Sequence, residues 1–528
     1  MNPDDQNKPQ VPIPSSDYTD VPPPPPASPP ASSSLGGSRG EPAAGQAPVE
    51  TVTPQVPVEP QTPITPQFTP APEPPQPASL PQEQVATPSG EGGERKFPVK
   101  ILLIIFSVLF AAGAVFFAIR TFLNREAPVP AEITLNYWGL WEDSASIEGV
   151  ITEYEAKTPG VKINYIKQSK EDYRERLVNS LAKGTPDIFR YHNTWVPTLG
   201  ASLSSLPPEV MNPEEFQNTF YPVASQDLRR GTEIVGIPLM FDGLGLYINE
   251  EIFENSGKSP PADWNQLKSL AQELTVKNET NTIEQSGVAL GRSDNVDHWE
   301  DILALMMLQN GVDMSSPTGT QAEDALSFFT LFAKDGLVWN ETLPPSTQSF
   351  AGGKLAMYFG PSWRAFEIKQ LNPTLRFKVV PVPQLPKNQS SELDITWASY
   401  WAEGVSARSV NQKEAWEFLK FLSQKESLQK MYEASAKQRL FGEIYPRRDM
   451  AQLLENDSVA GAFVKQAPSS KSWYLASRTF DGPTGINTRL GAYFADAING
   501  MVNGDKTAVD VLPTIASGVA QVLSEYRK

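Results

Sequence analysis

The chain has 528 residues, 61 acidic against 44 basic, a formal net charge of −17, and no cysteine. That acidity disfavours nucleic acid, whose binding rests on Lys and Arg neutralising phosphates. The missing cysteines exclude thiol nucleophiles, Cys-ligated zinc, iron–sulfur clusters, disulfides and a lipobox cysteine, so an exported domain kept at the membrane needs another tether.

Residues 1–97 form a Pro-rich acidic segment. Half of the 50 prolines fall before Arg95, including Pro22 to Pro26, with Tyr18 and Phe68 as the only aromatics there. Such a composition buries too little apolar surface to offset ordering entropy, so the segment is expected to be a disordered, partly polyproline II tail. All 11 Trp lie after it.

Residues 98–123 contain the uncharged run Ile101 to Ile119. A helix of about 20 apolar residues crosses a ~30 Å hydrocarbon core with its backbone groups satisfied, so a transmembrane helix is expected. Ala112-Gly113-Ala114 offers a small-x-small cleavage site, but the run begins far from the N-terminus and continues through Val115, Phe116 and Phe117, which favours an uncleaved anchor over a secretory signal. Arg95, Lys96 and Lys100 precede the run and only Arg120 and Arg125 follow it closely, an excess that places the N-terminus in the cytoplasm and the large domain outside.

Residues 124–131 read as a short linker, and 132–528 as a domain with a substantial core. Ile133 to Trp138 alternates as a strand does; Ser144 to Lys157 has helical spacing at Ile147, Val150, Ile151 and Tyr154 and stops at Thr158-Pro159-Gly160. Val161 to Ile166 is the next strand, Lys170 to Ala182 the next helix, and Asp187 to Tyr191 the third strand. This alternation predicts an α/β fold with a mostly parallel sheet, in which ligands sit beyond the carboxyl ends of the strands. Helical periodicity returns at Trp264 to Leu274, Trp299 to Gln309, Ala322 to Lys334 and Ala415 to Leu422.

From Ile133 onward several short motifs occur in one order: Lys183-Gly184-Thr185-Pro186-Asp187-Ile188, Gly236-Ile237-Pro238, Leu246-Tyr247-Ile248-Asn249 and Pro260-Pro261-Ala262-Asp263-Trp264. They continue with Phe350-Ala351-Gly352-Gly353-Lys354-Leu355-Ala356-Met357, Gly360-Pro361-Ser362-Trp363 and Ala415-Trp416-Glu417-Phe418-Leu419. In this order the chain resembles the family 1 extracellular solute-binding proteins of ABC importers, the maltose-binding-protein-like group. The resemblance implies a two-lobed periplasmic-binding-protein-like fold with discontinuous lobes, one of about 132–240 and 404–450, the other of 241–403 and 451–528. It implies a carbohydrate ligand, an oligosaccharide, held between the lobes and delivered to ABC permease subunits with their ATPase, with no cofactor and no catalysis. Members usually carry a cleaved signal or a lipobox; this chain departs from them at its front.

No Gly-x-x-x-x-Gly-Lys-Ser/Thr, Gly-x-Ser-x-Gly or His-Glu-x-x-His pattern is present, and His192 and His298 are the only histidines. These two read as hydrogen-bonding residues rather than metal ligands, because no third ligand is spaced for them. A pair of cleft carboxylates acting as a membrane-anchored glycoside hydrolase stays open as the enzyme alternative.

Aromatic residues beside short polar ones recur at predicted strand ends. Flat rings pack against the C–H face of a sugar while carboxylates, amides and guanidinium groups bond its hydroxyls. The candidate ligand residues are therefore Trp138, Trp141, Glu142, Asp143, Asn193, Trp195, Asp242, Trp299, Trp363, Arg364 and Trp401, with Asp242 and the Trp138, Trp141, Trp195 and Trp363 positions also implied by the resemblance. The competing reading of each Trp is a core residue, and Trp264, Trp339 and Trp416 are assigned to the core outright.

Overall fold

The computed structural model describes residues 99–123, 132–334, 337–387 and 393–526. The expected disordered tail and the linker lie outside the described residues. The chain divides into two units, Met1–Pro128 and Val129–Lys528.

In the first unit Val99–Leu123 is one helix of 25 residues, about 37 Å long at 1.5 Å per residue. Its Leu103–Arg120 stretch has a mean hydropathy of 2.3, long and apolar enough to cross a membrane. Ser107, a polar side chain within that stretch, donates its hydroxyl to the Leu103 carbonyl at 2.8 Å and leaves no unsatisfied group.

The second unit is built on two sheets. Strands β1 (Ile133–Gly139), β2 (Val161–Lys167) and β3 (Ile188–His192) run parallel, with β1 in the middle. The sheet continues through Trp401–Val405, antiparallel to β3, to Ile237–Pro238. The helices Glu148–Lys157 and Tyr173–Leu181 make the crossovers that parallel pairing requires. The second sheet has the order Phe377–Val380, Gly245–Asn249, Leu355–Gly360, Ile283–Val288, Val276–Lys277. The expected two lobes, each discontinuous in sequence, are thus present, and the chain re-enters the first sheet at Trp401.

Local chemistry starts the elements where the sequence suggests. The Asn249 side chain accepts from the Ile252 N–H at 3.3 Å and Asp263 from the Gln266 N–H at 2.8 Å, so each caps a helix that follows directly. Residues 144–157 differ slightly from expectation: a 3₁₀ turn, Ser144–Ser146, precedes the helix Glu148–Lys157. Trp264, Trp339 and Trp416 are buried in the core as expected.

Three passages connect the lobes and lie side by side. Residues 239–244 lead from the first sheet to the second, 398–400 lead back, and a third passage runs between the helices Lys425–Ala436 and Ala460–Gln466. Phe241 N–H donates to the Ile444 carbonyl at 2.8 Å, and Ser399 N–H to the Asp242 carbonyl at 3.0 Å. Gly243 faces Ala398 so closely that a Cβ would stand 2.0 Å from the Trp397 carbonyl oxygen, which is why glycine is needed there.

Candidate functional site

Both sheets turn their carboxyl ends toward these passages. Beyond β1 come Leu140 to Asp143, beyond β3 come Asn193 to Trp195, and Trp401 pairs with His192 at the same edge. In the second sheet Gly360 pairs with Gly245, so the loop carrying Ser362 and Trp363 stands beside Asp242.

The turn after β1 is shaped by Tyr165. Its hydroxyl passes over Gly139, where a Cβ would come within 2.0 Å of it, and donates to the Glu142 carbonyl at 2.9 Å. This presents Trp141, partly exposed, edge to face against Trp401 at a centroid distance of 5.2 Å and 84°. Trp401 in turn meets His192 and Trp195, each at 5.2 Å. Aromatic groups from two segments thus converge on the ring of a third.

The first lobe's polar groups are mostly committed. Glu142 is bonded by Arg190, which lies 5.2 Å from the centre of the Trp141 ring. Asp143 is exposed and paired with Lys167 at 2.9 Å, a surface ion pair. Asn193 is buried and donates to Asp227 at 2.9 Å, which also accepts from Tyr400 at 3.0 Å and Ser472 at 2.5 Å. Burial pushes the Asp227 carboxyl up to about 6, against the pull of those three donors. Burial likewise drives His192 down to about 3, so it is neutral, and its ring nitrogens face Thr194 and Ser399 hydroxyls at 2.8 and 3.1 Å.

In the second lobe, Asp242 accepts from the Gly243 and Ser362 N–H groups at 2.8 and 3.0 Å and from the Ser362 hydroxyl at 2.8 Å. Burial with no cation in contact raises it to about 7. Trp363, partly exposed, lies 5.6 Å from His298 and 4.5 Å from the Arg364 guanidinium. Arg364 Nε donates to His298 Nε2 at 2.9 Å, so the imidazole proton sits on Nδ1 and is directed at Asp301 Oδ2, 3.2 Å away. Burial and the neighbouring Arg364 keep His298 neutral. Asp301 is raised to about 8 by burial and by Glu300, while accepting from the Trp397 indole at 2.8 Å. Asp297 behaves oppositely: burial would raise it, but Arg364 and the Thr347 donors hold it at about 2.

Contacts run unbroken from one lobe to the other: Trp141 to Trp401, to His192, to Ser399, to Asp242, to Ser362 beside Trp363. Of the eleven sequence candidates, Trp138, Trp141, Glu142, Asp242 and Trp363 keep part of their surface open. Trp195, Trp299 and Trp401 are 1%, 7% and 8% exposed and Arg364 is 4% exposed, so they build the walls rather than present a face. Asn193 serves Asp227, and Asp143 stands on the outer surface. Sequence reading passed over Arg190, Glu403 and Glu443; Glu443 accepts from Arg439 at 2.6 Å and bonds the Trp141 side chain. Among the described residues no group of three or more His, Cys, Asp or Glu is arranged to hold a metal ion.

The sequence profile of the bacterial extracellular solute-binding proteins matches residues 149–438. A protein of Brucella abortus (strain 2308), named as a binding protein, is 23% identical over 292 residues, covering 53% of this chain and 68% of its own. Among solved structures, the sugar-binding protein MalE of Xanthomonas citri has a TM-score of 0.60 at 17% identity, covering 75% of this chain and 98% of its own. The cyclic α-maltosyl-1,6-maltose binding protein of Arthrobacter globiformis gives 0.60 at 17%, covering 75% and 100%. The GacH receptor of Streptomyces glaucescens, solved with acarbose, gives 0.54 at 19%, covering 75% and 99%. At these identities the structures establish the shared fold. The family and these neighbours are binding proteins and not enzymes.

Proposed function

This chain belongs to the bacterial extracellular solute-binding proteins, and on that premise we propose that it captures a carbohydrate, an oligosaccharide, between its two lobes and hands it to an ABC importer. The observation that carries the reading is a partly exposed tryptophan on each lobe, Trp141 on one and Trp363 on the other, linked through the passages that Asp242 and Ser399 tie together. Ring faces and rim acceptors in that arrangement suit a sugar. Several neighbours of the same fold are named for malto-oligosaccharides, which supports the choice of ligand.

The ligand residues in this reading are Trp138, Trp141, Glu142, Asp242 and Trp363, backed by Asn193, Trp195, Trp299, Arg364 and Trp401, with Asp143 at the outer edge. Contacts to both lobes favour the closed arrangement, and a shift from mostly open to mostly closed asks for about 5.5 kcal/mol of differential affinity. In this reading the lobes comprise about 132–240 with 404–450, and 241–403 with 451–528; the strand Trp401–Val405 already pairs with the first sheet, which moves the second exchange a few residues earlier. The Val99–Leu123 helix anchors the chain, with the N-terminus cytoplasmic and the binding domain outside, which keeps the receptor near its permease and its ATPase. A glycoside hydrolase finds no support in a family of binding proteins.

Ligand-induced shifts of the melting midpoint across a panel of malto-oligosaccharides, monosaccharides and amino acids test the reading. A shift confined to oligosaccharides supports it; a shift confined to amino acids, or none, refutes it.

A further inference from the structure

Arg190 lies buried in the middle of β3 and reaches two neighbouring segments at once. Its Nε donates to Glu403 Oε1 at 2.7 Å and its Nη2 lies 2.6 Å from the same oxygen. Its Nη1 donates to Glu142, and the plane lies 5.2 Å from the Trp141 ring centre. The Tyr137 hydroxyl adds a bond to Glu403 at 2.8 Å. Burial alone would lower the Arg190 pKa; Glu142 and Glu403 outweigh it, so the guanidinium stays charged.

The second oxygen of Glu142 has a different environment. Glu142 Oε2 is shielded from solvent and meets no hydrogen-bond partner among the described residues. Glu142, Arg190 and Glu443 line one small cavity with Tyr165, Met240 and Tyr432. Glu403 Oε2 is shielded and unmatched in the same way; an unmatched carboxylate oxygen costs free energy, and the cavity beside Glu142 has room for about one water to serve as donor. Glu142 stands one residue from Trp141, whose partly open face belongs to the aromatic site.

We propose that Arg190 is a positioning residue of the solute site: its guanidinium, held between Glu403 and Glu142, fixes the Trp141 ring so that its partly open face is presented to the solute. The part concerning the solute rests on the carbohydrate reading above; the positioning of Trp141 needs no ligand. Lysine cannot replace it, because an ammonium group is a point charge without the planar fork that spans Glu403 and Glu142 while covering the indole.

The test uses the full chain in lipid nanodiscs, labelled with 5-fluorotryptophan, with the Trp141 and Trp401 fluorine resonances identified from Trp141→Phe and Trp401→Phe. Two variants are compared with the parent: Arg190→Lys, and Arg190→Met/Glu403→Gln, which removes the fully buried Arg190–Glu403 pair together and leaves only the less buried Glu142 without its cation. Without ligand, the Trp141 resonance is expected to shift or broaden in both, while those of Trp299, Trp339 and Trp416 stay in place. Maltotetraose affinity is expected to fall about tenfold or more, the loss typical of one misplaced stacking face. A purely structural ion pair would lower the melting midpoint and leave the Trp141 resonance where it was; that result in either folded variant overturns the proposal. A moved resonance with unchanged affinity overturns the role toward the solute. If the parent chain does not bind maltotetraose, the carbohydrate reading fails on that count, and the fluorine spectra still decide whether Arg190 positions Trp141.

Discussion

Asp242 receives both the N–H and the hydroxyl of Ser362, at 3.0 and 2.8 Å, and so ties the first passage between the lobes to the residue next to Trp363. Any change in that carboxylate is felt where the two lobes join.

Its protonation gives the first prediction. Asp242, Asp301 and Asp227 have folded pKa values raised by burial to about 7, 8 and 6, against about 3.9 in an unfolded chain. Between those limits the folded chain binds more protons than the unfolded one, so the stability these groups contribute is complete below about pH 4 and is lost as the pH rises through 6 to 8. Asp297, held at about 2, acts in the opposite sense and contributes above about pH 4, its share vanishing as the pH falls through 2. The melting midpoint of the ligand-free chain should therefore decline from pH 5 to pH 9. Asp242→Asn, which keeps an acceptor and cannot ionise, should make that decline shallower; an identical slope in both proteins would speak against the assignment.

Two tryptophans of one aromatic cluster should respond differently to truncation. Trp195 is 1% exposed, so Trp195→Ala opens a cavity and should cost about 3 to 5 kcal/mol of stability. Trp141 keeps an open face, so Trp141→Ala should lower oligosaccharide affinity roughly tenfold to hundredfold while leaving most of the stability. Denaturant unfolding and ligand titration on each variant separate the two, and equal losses of stability would remove Trp141 from the site.

Much of this was legible in the sequence, and the limits have a physical cause. Strand and helix periodicity foretold β1 to β3 and their crossovers because those patterns are local, and the aromatic residues stood out because they follow strands directly. Arg190 and Glu403 form their bond across 213 residues of chain, and no local pattern announces such a partner. Burial was not legible for the same reason: Trp195, Trp299 and Arg364 look like Trp141 and Trp363 in sequence, and only packing from distant segments decides which of them keep an open face.

Gly243 supplies a third prediction. A methyl group there would meet the Trp397 carbonyl at 2.0 Å, backbone that cannot yield without parting the first two passages. Gly243→Ala should lower the melting midpoint and weaken ligand binding together, whereas Gly311→Ala should affect stability alone, since that position has a φ of 76° and no atom near its added Cβ. Unchanged binding in Gly243→Ala would show that the contact between the passages does not govern the site.

The membrane anchor is tested by fractionation. The mature chain should sediment with membranes and retain Val99–Leu123, and protease added to intact cells should digest the binding domain and spare residues 1–98. A soluble mature chain beginning near Val115 would point to cleavage at Ala112-Gly113-Ala114.

The most direct measurement is calorimetric titration of the purified chain with maltotetraose, followed by chromatography of the recovered sugar. Saturable binding of one oligosaccharide per chain, with the sugar returned intact and the heat abolished in the Trp141→Ala/Trp363→Ala variant, is the expected result. Shortened products would make the protein a hydrolase, and undiminished binding in that double variant would place the ligand somewhere other than between the two aromatic faces.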